Sequence, residues 1–407
     1  QRKREMEARR PAHQGDNEGP RGPESMHRML GMLEKNPAAL SESKLAQTRD
    51  QLHKMYLLSV QHQSPALRLS GDLAQIIRQR AERTQAQGGD FSGMDLTGCD
   101  LSGMDLRGAN FTKALLECAD LSHCKLDGAK FNDAVLARAE LHHTSLRECD
   151  FTGASLSLAQ CCHSDFSAST LKGTQLQETL LDDCKFTEAT LEHLLFYKIW
   201  MSRCRFHRAR LDSSIFMELT LPELDFSQAT LHKVTFLKST LEAAVFSHAR
   251  LESCSWVETQ AEQARFNGAT LMTCATAMDS SLNGADFSDA TLTHTNLRQT
   301  ALNNTKFVMA KLSNSDLSES PCCNADFTRA NLAGSSFIRT DFRKANFTDA
   351  NLMEALLQKC QLGGASFSGA NLFRTDISQS FTDSETRLSN AWTKRIKILP
   401  ERDGEIV

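Results

Sequence analysis

From Phe91 to Leu271 every fifth residue is large and apolar with few exceptions, and after a one-residue slip the series resumes at Leu282 and runs to Ile377. Of the 57 positions so defined, 51 hold Leu or Phe; the others are Cys161, Met201, Trp256, Ala261, Cys322 and Ile377. A period of five fits neither an α-helix, near 3.6, nor a flat strand at 2. It requires a chain that turns a corner every five residues, so the internal repeat dictates the architecture.

A longer period lies on top of the first. Phe recurs at 166, 186, 206, 226, 246 and 266, then at 287, 307, 327, 347 and 367. Phe91, Phe111, Phe131 and Phe151 form a second column, and Phe196, Phe216, Phe236 and Trp256 a third. Like residues every twenty positions imply four repeats per coil with identical side chains stacked. At roughly 4.8 Å per coil, the strand-pairing distance, about 14 coils make a rod on the order of 65–70 Å long. The Phe column continues past the slip, so the extra residue reads as a loop bulge and not as a domain boundary.

The residue two before each Leu or Phe is often Ala, as at Ala109, Ala129, Ala285 and Ala370, and elsewhere mostly Cys, Ser or Thr. A narrow tube with one large inward residue needs a small one beside it, because interiors are close-packed. Asp, Asn, Ser or Thr sits between them, as in Ala109-Asn110-Phe111 and Ala370-Asn371-Leu372, and suits turns and backbone hydrogen bonds. This pattern resembles the pentapeptide-repeat family. The resemblance covers roughly residues 88–380 and implies an all-β solenoid, a right-handed quadrilateral β-helix.

The flanks break the beat. Residues 1–23 are charged, punctuated by Pro and Gly, and are expected to be disordered or linker. Residues 24–87 change to helical spacing: Met26, Leu30 and Leu33; then Leu45, Leu52, Met55, Tyr56 and Val60; then Leu73, Ile76 and Ile77 with Ser70 as N-cap and Gly88-Gly89 as stop. These helices are expected to cover the first coil, whose open edge would otherwise template aggregation, or alternatively to dock a partner. Residues 381–407 are read as a C-terminal cap and tail, with Phe381, Leu388, Trp392 and Ile396 lying across the last coil. The start at Gln1 is expected of a trimmed or processed chain.

Composition alters this picture little. There is no apolar run long enough for a membrane span and no leader pattern. Most of the thirteen Cys fall on inward positions: Cys99, Cys124, Cys149, Cys184, Cys204, Cys254, Cys274 and Cys360 on the small one, Cys161 and Cys322 on the large one. Buried Cys behaves as a small hydrophobe, and free thiols fit a reducing compartment, so the expected location is the bacterial cytoplasm. Residues 88–380 carry about −9, residues 1–87 about +5, and the tail zero, which together give the net −4 of the chain.

Three constellations could carry chemistry. His123, His143 and His163 recur every twenty residues and continue into Asp183, an exposed ladder whose ligand types would suit Zn²⁺; the competing reading is a polar corner without metal, and no metal or cofactor is expected. Cys161-Cys162-His163-Ser164-Asp165 contains the letters of a nucleophile triad, but contiguous residues of an extended chain point to opposite sides and cannot converge. Arg203, Arg205, Arg208 and Arg210 form a basic cluster. One coil away Arg203 meets Asp183, Arg208 meets Glu188 and Arg205 meets Asp225, while Arg210 lies between Thr190 and Thr230 as the free donor and candidate partner contact.

These readings favour a non-catalytic protein-binding scaffold or adaptor, with neither nucleic acid nor membrane as partner. Within it, the trimmed start, the basic helical lead-in from Met26 to Arg83 and the long Cys-tolerant solenoid suggest an accessory of bacterial type VI secretion that helps load an effector onto the secreted spike. The alternative implied by the resemblance is a DNA-mimicking gyrase- or topoisomerase-binding protein, which would need a continuous acidic stripe along one face.

Overall fold

A computed structural model describes residues 21–34 and 42–399. The linker expected over 1–23 thus falls mostly outside the described residues, as do tail residues 400–407. From Asp90 onward the chain winds as a parallel β-solenoid with a pairing every five residues: Asp90 with Asn110, Asp95 with Leu115, Asp100 with Asp120, and Asp105 with Lys125. These four columns define four faces, called A to D in that order. Along face A, fifteen successive parallel pairings lead from Asp90 to Trp392, one coil more than the sequence spacing predicts.

The five-residue beat is the packing rule of this tube. Each central Leu or Phe, and the small residue two before it, points inward into one continuous core. The register forces like rings over one another. From Phe166 to Phe367 the eleven rings stack with centroids 4.6–5.1 Å apart and planes within 15°. That spacing is the inter-strand distance itself. At many places where the small inward residue is polar, its hydrogen goes to the carbonyl 23 residues earlier: Thr174 donates to Phe151 at 2.8 Å, Cys124 to Leu101 at 3.0 Å and Thr340 to Leu317 at 2.9 Å. The outward Asp or Asn closes the corner by accepting the N–H two residues on, as Asp90 does from Ser92 at 3.1 Å.

In the middle of the rod the pairings lengthen into three-residue strands. Face A carries a seven-stranded sheet from Thr170–Lys172 to Thr291–Thr293, and face B a five-stranded one from Leu195–Tyr197 to Ala275–Ala277. The one-residue slip is a bulge at Met278-Asp279, both in the left-handed region, and pairings pass it unbroken from Gln260 to Ser281 and Arg265 to Asp286.

Both flanks join the rod. Helix α1 spans Glu24–Glu34, α2 Glu42–Ser59 and α3 Gly71–Ala86. Ala81 of α3, with Leu69 and Ile77, packs on the end of the tubular core, and Arg78 donates to the Asp100 and Ser102 carbonyls. Ser70 takes the N-cap position of α3 in extended conformation, but its side chain makes no capping bond. At the other end, Phe381 pairs with Gln361, Arg387 with Ser366, Trp392 with Asn371 and Lys397 with Asp376. Residues 381–397 therefore form one more coil in register and do not lie across the last one. Backbone pairing outcompetes the apolar contacts that suggested a cap, and Phe381, Leu388 and Trp392 stay exposed.

Candidate interaction surfaces

The residues singled out in the sequence take definite places. His123, His143 and His163 stand on one corner with φ of 61°, 55° and 59°, and stack flat with centroids 5.2 and 4.8 Å apart. His163 Nδ1 lies 3.2 Å from Asp183 Oδ2. Stacked imidazoles offer one another ring faces and not nitrogen lone pairs. Among the described residues no three His, Cys, Asp or Glu side chains are grouped as a metal site needs. Desolvation, and then the neighbouring His163 and His123, hold His143 below the usual histidine pKa.

The run from Cys161 to Asp165 splays. Cys161 is buried, His163 faces outward to Asp183, Ser164 is buried and donates to the Leu141 carbonyl, and Asp165 accepts the Ser167 N–H at 3.0 Å. Burial pushes the Cys161 thiol up, as it does Cys99 and Cys149, both to about 12. All thirteen cysteines are unbridged. Cys184 and Cys204 donate to separate carbonyls, Cys161 at 2.7 Å and Leu181 at 3.2 Å.

The arginine cluster pairs differently from its spacing. Arg203 forks onto both oxygens of Asp182 at 2.9 and 3.0 Å instead of Asp183, because Asp183 sits on the corner and is engaged by His163. Arg208 lies 3.7 Å from Glu188 and donates to Gln228 at 2.9 Å. Arg205 and Asp225 are register neighbours, but no ion pair joins them; Asp225 accepts the Ser227 N–H. Arg210 stands exposed between Thr190 and Thr230, without an ion pair among the described residues.

Two features were missed by the sequence reading, and both lie on face B. The first is the seat of α1 and α2. Here the outward residues Leu115, Val135 and Ala137 bury Met26, Tyr56, Leu57 and Val60. A charged latch closes the seat. Glu117 is fully buried and accepts from Tyr56 Oη, the Ala66 N–H at 3.3 Å and Arg138 at 2.9 Å. Arg138 also donates to the carbonyls of Val60, Gln61 and Gln63 at 3.0, 3.2 and 2.9 Å. Every charge is paired and hydrogen-bonded, the condition under which a buried ion pair is tolerated. Gly98, at φ +68°, admits the crossing chain: a Cβ there would collide with the Leu67 carbonyl.

The second feature lies farther along the same face. The outward columns of the five-stranded sheet align Leu195 with Ile215, and Tyr197 with Met217, Leu237 and Val257. The exposures of Leu195 and Ile215 are 37% and 41%, and the rest of the strip is half-buried. Between the two features face B is polar, with Ser155, Ser157, Gln175 and Gln177. A signal for both was present. In Leu195-Phe196-Tyr197 and Ile215-Phe216-Met217 the inward residue is flanked by apolar neighbours where the repeat ordinarily places polar ones.

At the C-terminal end an open polar cleft of about 540 Å³ is lined by Gly364, Ser366, Ser384, Glu385 and Arg387. No described helix is long and apolar enough to cross a membrane.

The sequence profile described as pentapeptide repeats matches in eight copies over 82–112, 114–153, 144–183, 280–318, 322–358 and 350–381. The chain belongs to the pentapeptide-repeat family. No curated protein matches it. Among solved structures, a pentapeptide repeat protein of the Arabidopsis thaliana thylakoid lumen is 30% identical over 24% of this chain and 68% of its own, with a TM-score of 0.24. HetL, involved in heterocyst differentiation regulation in the cyanobacterium Nostoc, is 20% identical over 80% of this chain and 97% of its own, with a TM-score of 0.15. QnrB1, a plasmid-mediated fluoroquinolone resistance protein, is 19% identical over 48% and 89%, with a TM-score of 0.25. In this pentapeptide-repeat protein the stretch between the profile-matched blocks, 184–279, keeps the same core and pairings and contains the apolar strip of face B.

Proposed function

We propose that the protein is a non-catalytic protein-binding scaffold. One observation carries this reading: four flat faces present outward side chains in parallel register, over fifteen coil-to-coil steps along face A. Such a surface needs no reorganisation to meet a partner, which limits the ordering cost of binding. The groups that could do chemistry point the same way, since the inward thiols are buried and the histidines stack on an outer corner. The test is affinity purification of the full chain from its native cells with quantitative mass spectrometry. One or a few proteins in near-stoichiometric amount are expected, and recovery of none would refute the scaffold.

Within this reading we propose the finer role of a type VI secretion accessory that helps load an effector onto the spike. It rests on the charged helical lead-in and the long solenoid. It predicts spike or effector proteins among those recovered, and genes for such proteins beside its own. Binding to gyrase as a DNA mimic is less well supported, because the outward columns alternate in sign. Face D reads Asp165, Lys185, Arg205 and Asp225, then Arg265, Asp286, Lys306 and Asp326. A DNA supercoiling assay should accordingly show neither inhibition nor drug protection.

A further inference from the structure

Face B is used twice for apolar display but covered only once. Where the chain lays α1 and α2 on it, Leu115, Val135 and Ala137 are removed from water. Where the strands Leu195–Tyr197 to Ala275–Ala277 continue the same face, the outward columns carry Leu195, Ile215, Tyr197, Met217, Leu237 and Val257, and no described residue lies over them. The segments outside the described residues cannot supply a cover of the same kind. Residues 1–20 hold a single large apolar side chain, Met6, residues 35–41 only Leu40, and residues 400–407 only Ile406 and Val407.

The dimensions select the occupant. The apolar residues lie on four strands, which at roughly 4.8 Å make the strip about 19 Å long, and three residues at about 3.3 Å make it about 10 Å wide. That is roughly 190 Å², far below the ~800 Å² each partner contributes to a stable dimer, so two copies meeting here would not hold. It equals the footprint of one helix of about 13 residues, which rises about 1.5 Å per residue and is about 10 Å across. The face already accepts amphipathic helices at its N-terminal end, on outward columns of the same two phases.

Resting on the scaffold reading, we propose that the strip Leu195, Tyr197, Ile215, Met217, Leu237 and Val257 is the docking site for one amphipathic helix of a partner protein, laid along the rod axis. Its apolar residues fall at i, i+3 or i+4, and i+7, so that successive turns meet successive coils, as in other helix-in-groove recognition. The corner beside the strip, with Lys198, Glu218, Lys238 and Glu258, supplies charges of both signs along one flank of that helix.

The experiment uses the full chain and a fluorescein-labelled 18-residue helical peptide with Leu at i, i+4, i+7 and i+11 and Glu or Lys elsewhere. Binding is followed by anisotropy and mapped by hydrogen exchange. The expected result is saturable binding that protects the strands at 195–197, 215–217 and 235–237. The double variant Leu195→Lys, Ile215→Glu should weaken it at least about tenfold with an unchanged melting temperature, since both side chains are exposed. No saturable binding, equal binding to the double variant, protection centred on residues 115–138, or a dimer by sedimentation would each overturn the proposal. The scaffold reading fails separately. If the proteins recovered with the wild-type chain are also recovered with the double variant, the scaffold stands and the strip falls; if none is recovered with either, the scaffold falls.

Discussion

The two apolar stretches of face B share a backbone, an inward core and an outward phase, yet one is covered by the chain's own helices and the other faces water. The difference lies in a few residues beside the apolar columns. At the covered stretch the position after the inward Leu116 is Glu117, and the corner after Leu136 carries Arg138. The corresponding positions of the exposed stretch are Tyr197, Met217, Leu237 and Val257, and Lys198, Glu218, Lys238 and Glu258. Apolar columns create the affinity for a helix, whereas the buried pair creates the address. Glu117 and Arg138 direct their hydrogen bonds to each other and to Tyr56, Ala66, Val60, Gln61 and Gln63, so α1 and α2 gain far more at the first stretch than at the second.

The comparison assumes one uniform interior beneath both stretches, and truncating that interior tests it with the largest effect. Leu136→Ala under the covered half and Phe236→Ala under the exposed half should each cost about 3–4 kcal/mol, as large-to-small changes of fully buried side chains do. Thermal and urea unfolding would show it. A cost below about 1 kcal/mol at either site would mean that the tube is not closely packed there.

Next in size is a change made in the same outward column on both sides. Val135→Asp places a carboxylate where the helices exclude water and should cost about 3 kcal/mol of their docking. Ile215→Asp, on a side chain already 41% exposed, should lie within about 0.5 kcal/mol of wild type. Equal destabilisation by the two would erase the distinction between the stretches. Glu117→Ala removes the latch without touching an apolar contact. It leaves Arg138 and Tyr56 without their shared acceptor and should release α1 and α2 by about 3 kcal/mol. Hydrogen exchange over residues 42–62 would then speed up while the strands from Thr170 onward keep their protection.

These effects also mark what the sequence made legible. The inward residues were readable because the period of five recurs some sixty times and tolerates no alternative packing, and the stacking of Phe166 on Phe186 follows from a spacing of twenty. The family followed from the same residues. The outward residues were harder, because nothing in Leu115 or Ile215 alone says which segment covers it. That depends on where α2 crosses, and the crossing is set by Tyr56, Glu117 and Arg138, up to 82 positions apart in the chain. The Arg203 pairing was misread for a local reason. Asp182 and Asp183 are adjacent, but the corner turns Asp183 toward His163 and leaves Asp182 to the arginine.

The smallest effect concerns the charge of the latch. Burial raises the Glu117 carboxyl above the usual glutamate value of 4.5, although Tyr56, Arg138 and the Ala66 N–H pull it down. A carboxyl raised in the docked state holds its proton more tightly there than when released. Its contribution to docking is therefore fully present below the ordinary glutamate range and is lost as pH rises through the raised value. Exchange protection of α2, corrected for the intrinsic rate, should be modestly greater at pH 5 than at pH 8. Glu117→Gln removes the titration and should flatten that dependence, while leaving the apolar seat of Leu115, Val135 and Ala137 in place. A dependence of the same slope in the Gln variant would detach it from Glu117. The latch would then act through geometry alone, and the contrast between the covered and exposed stretches would rest on hydrogen bonds and not on charge.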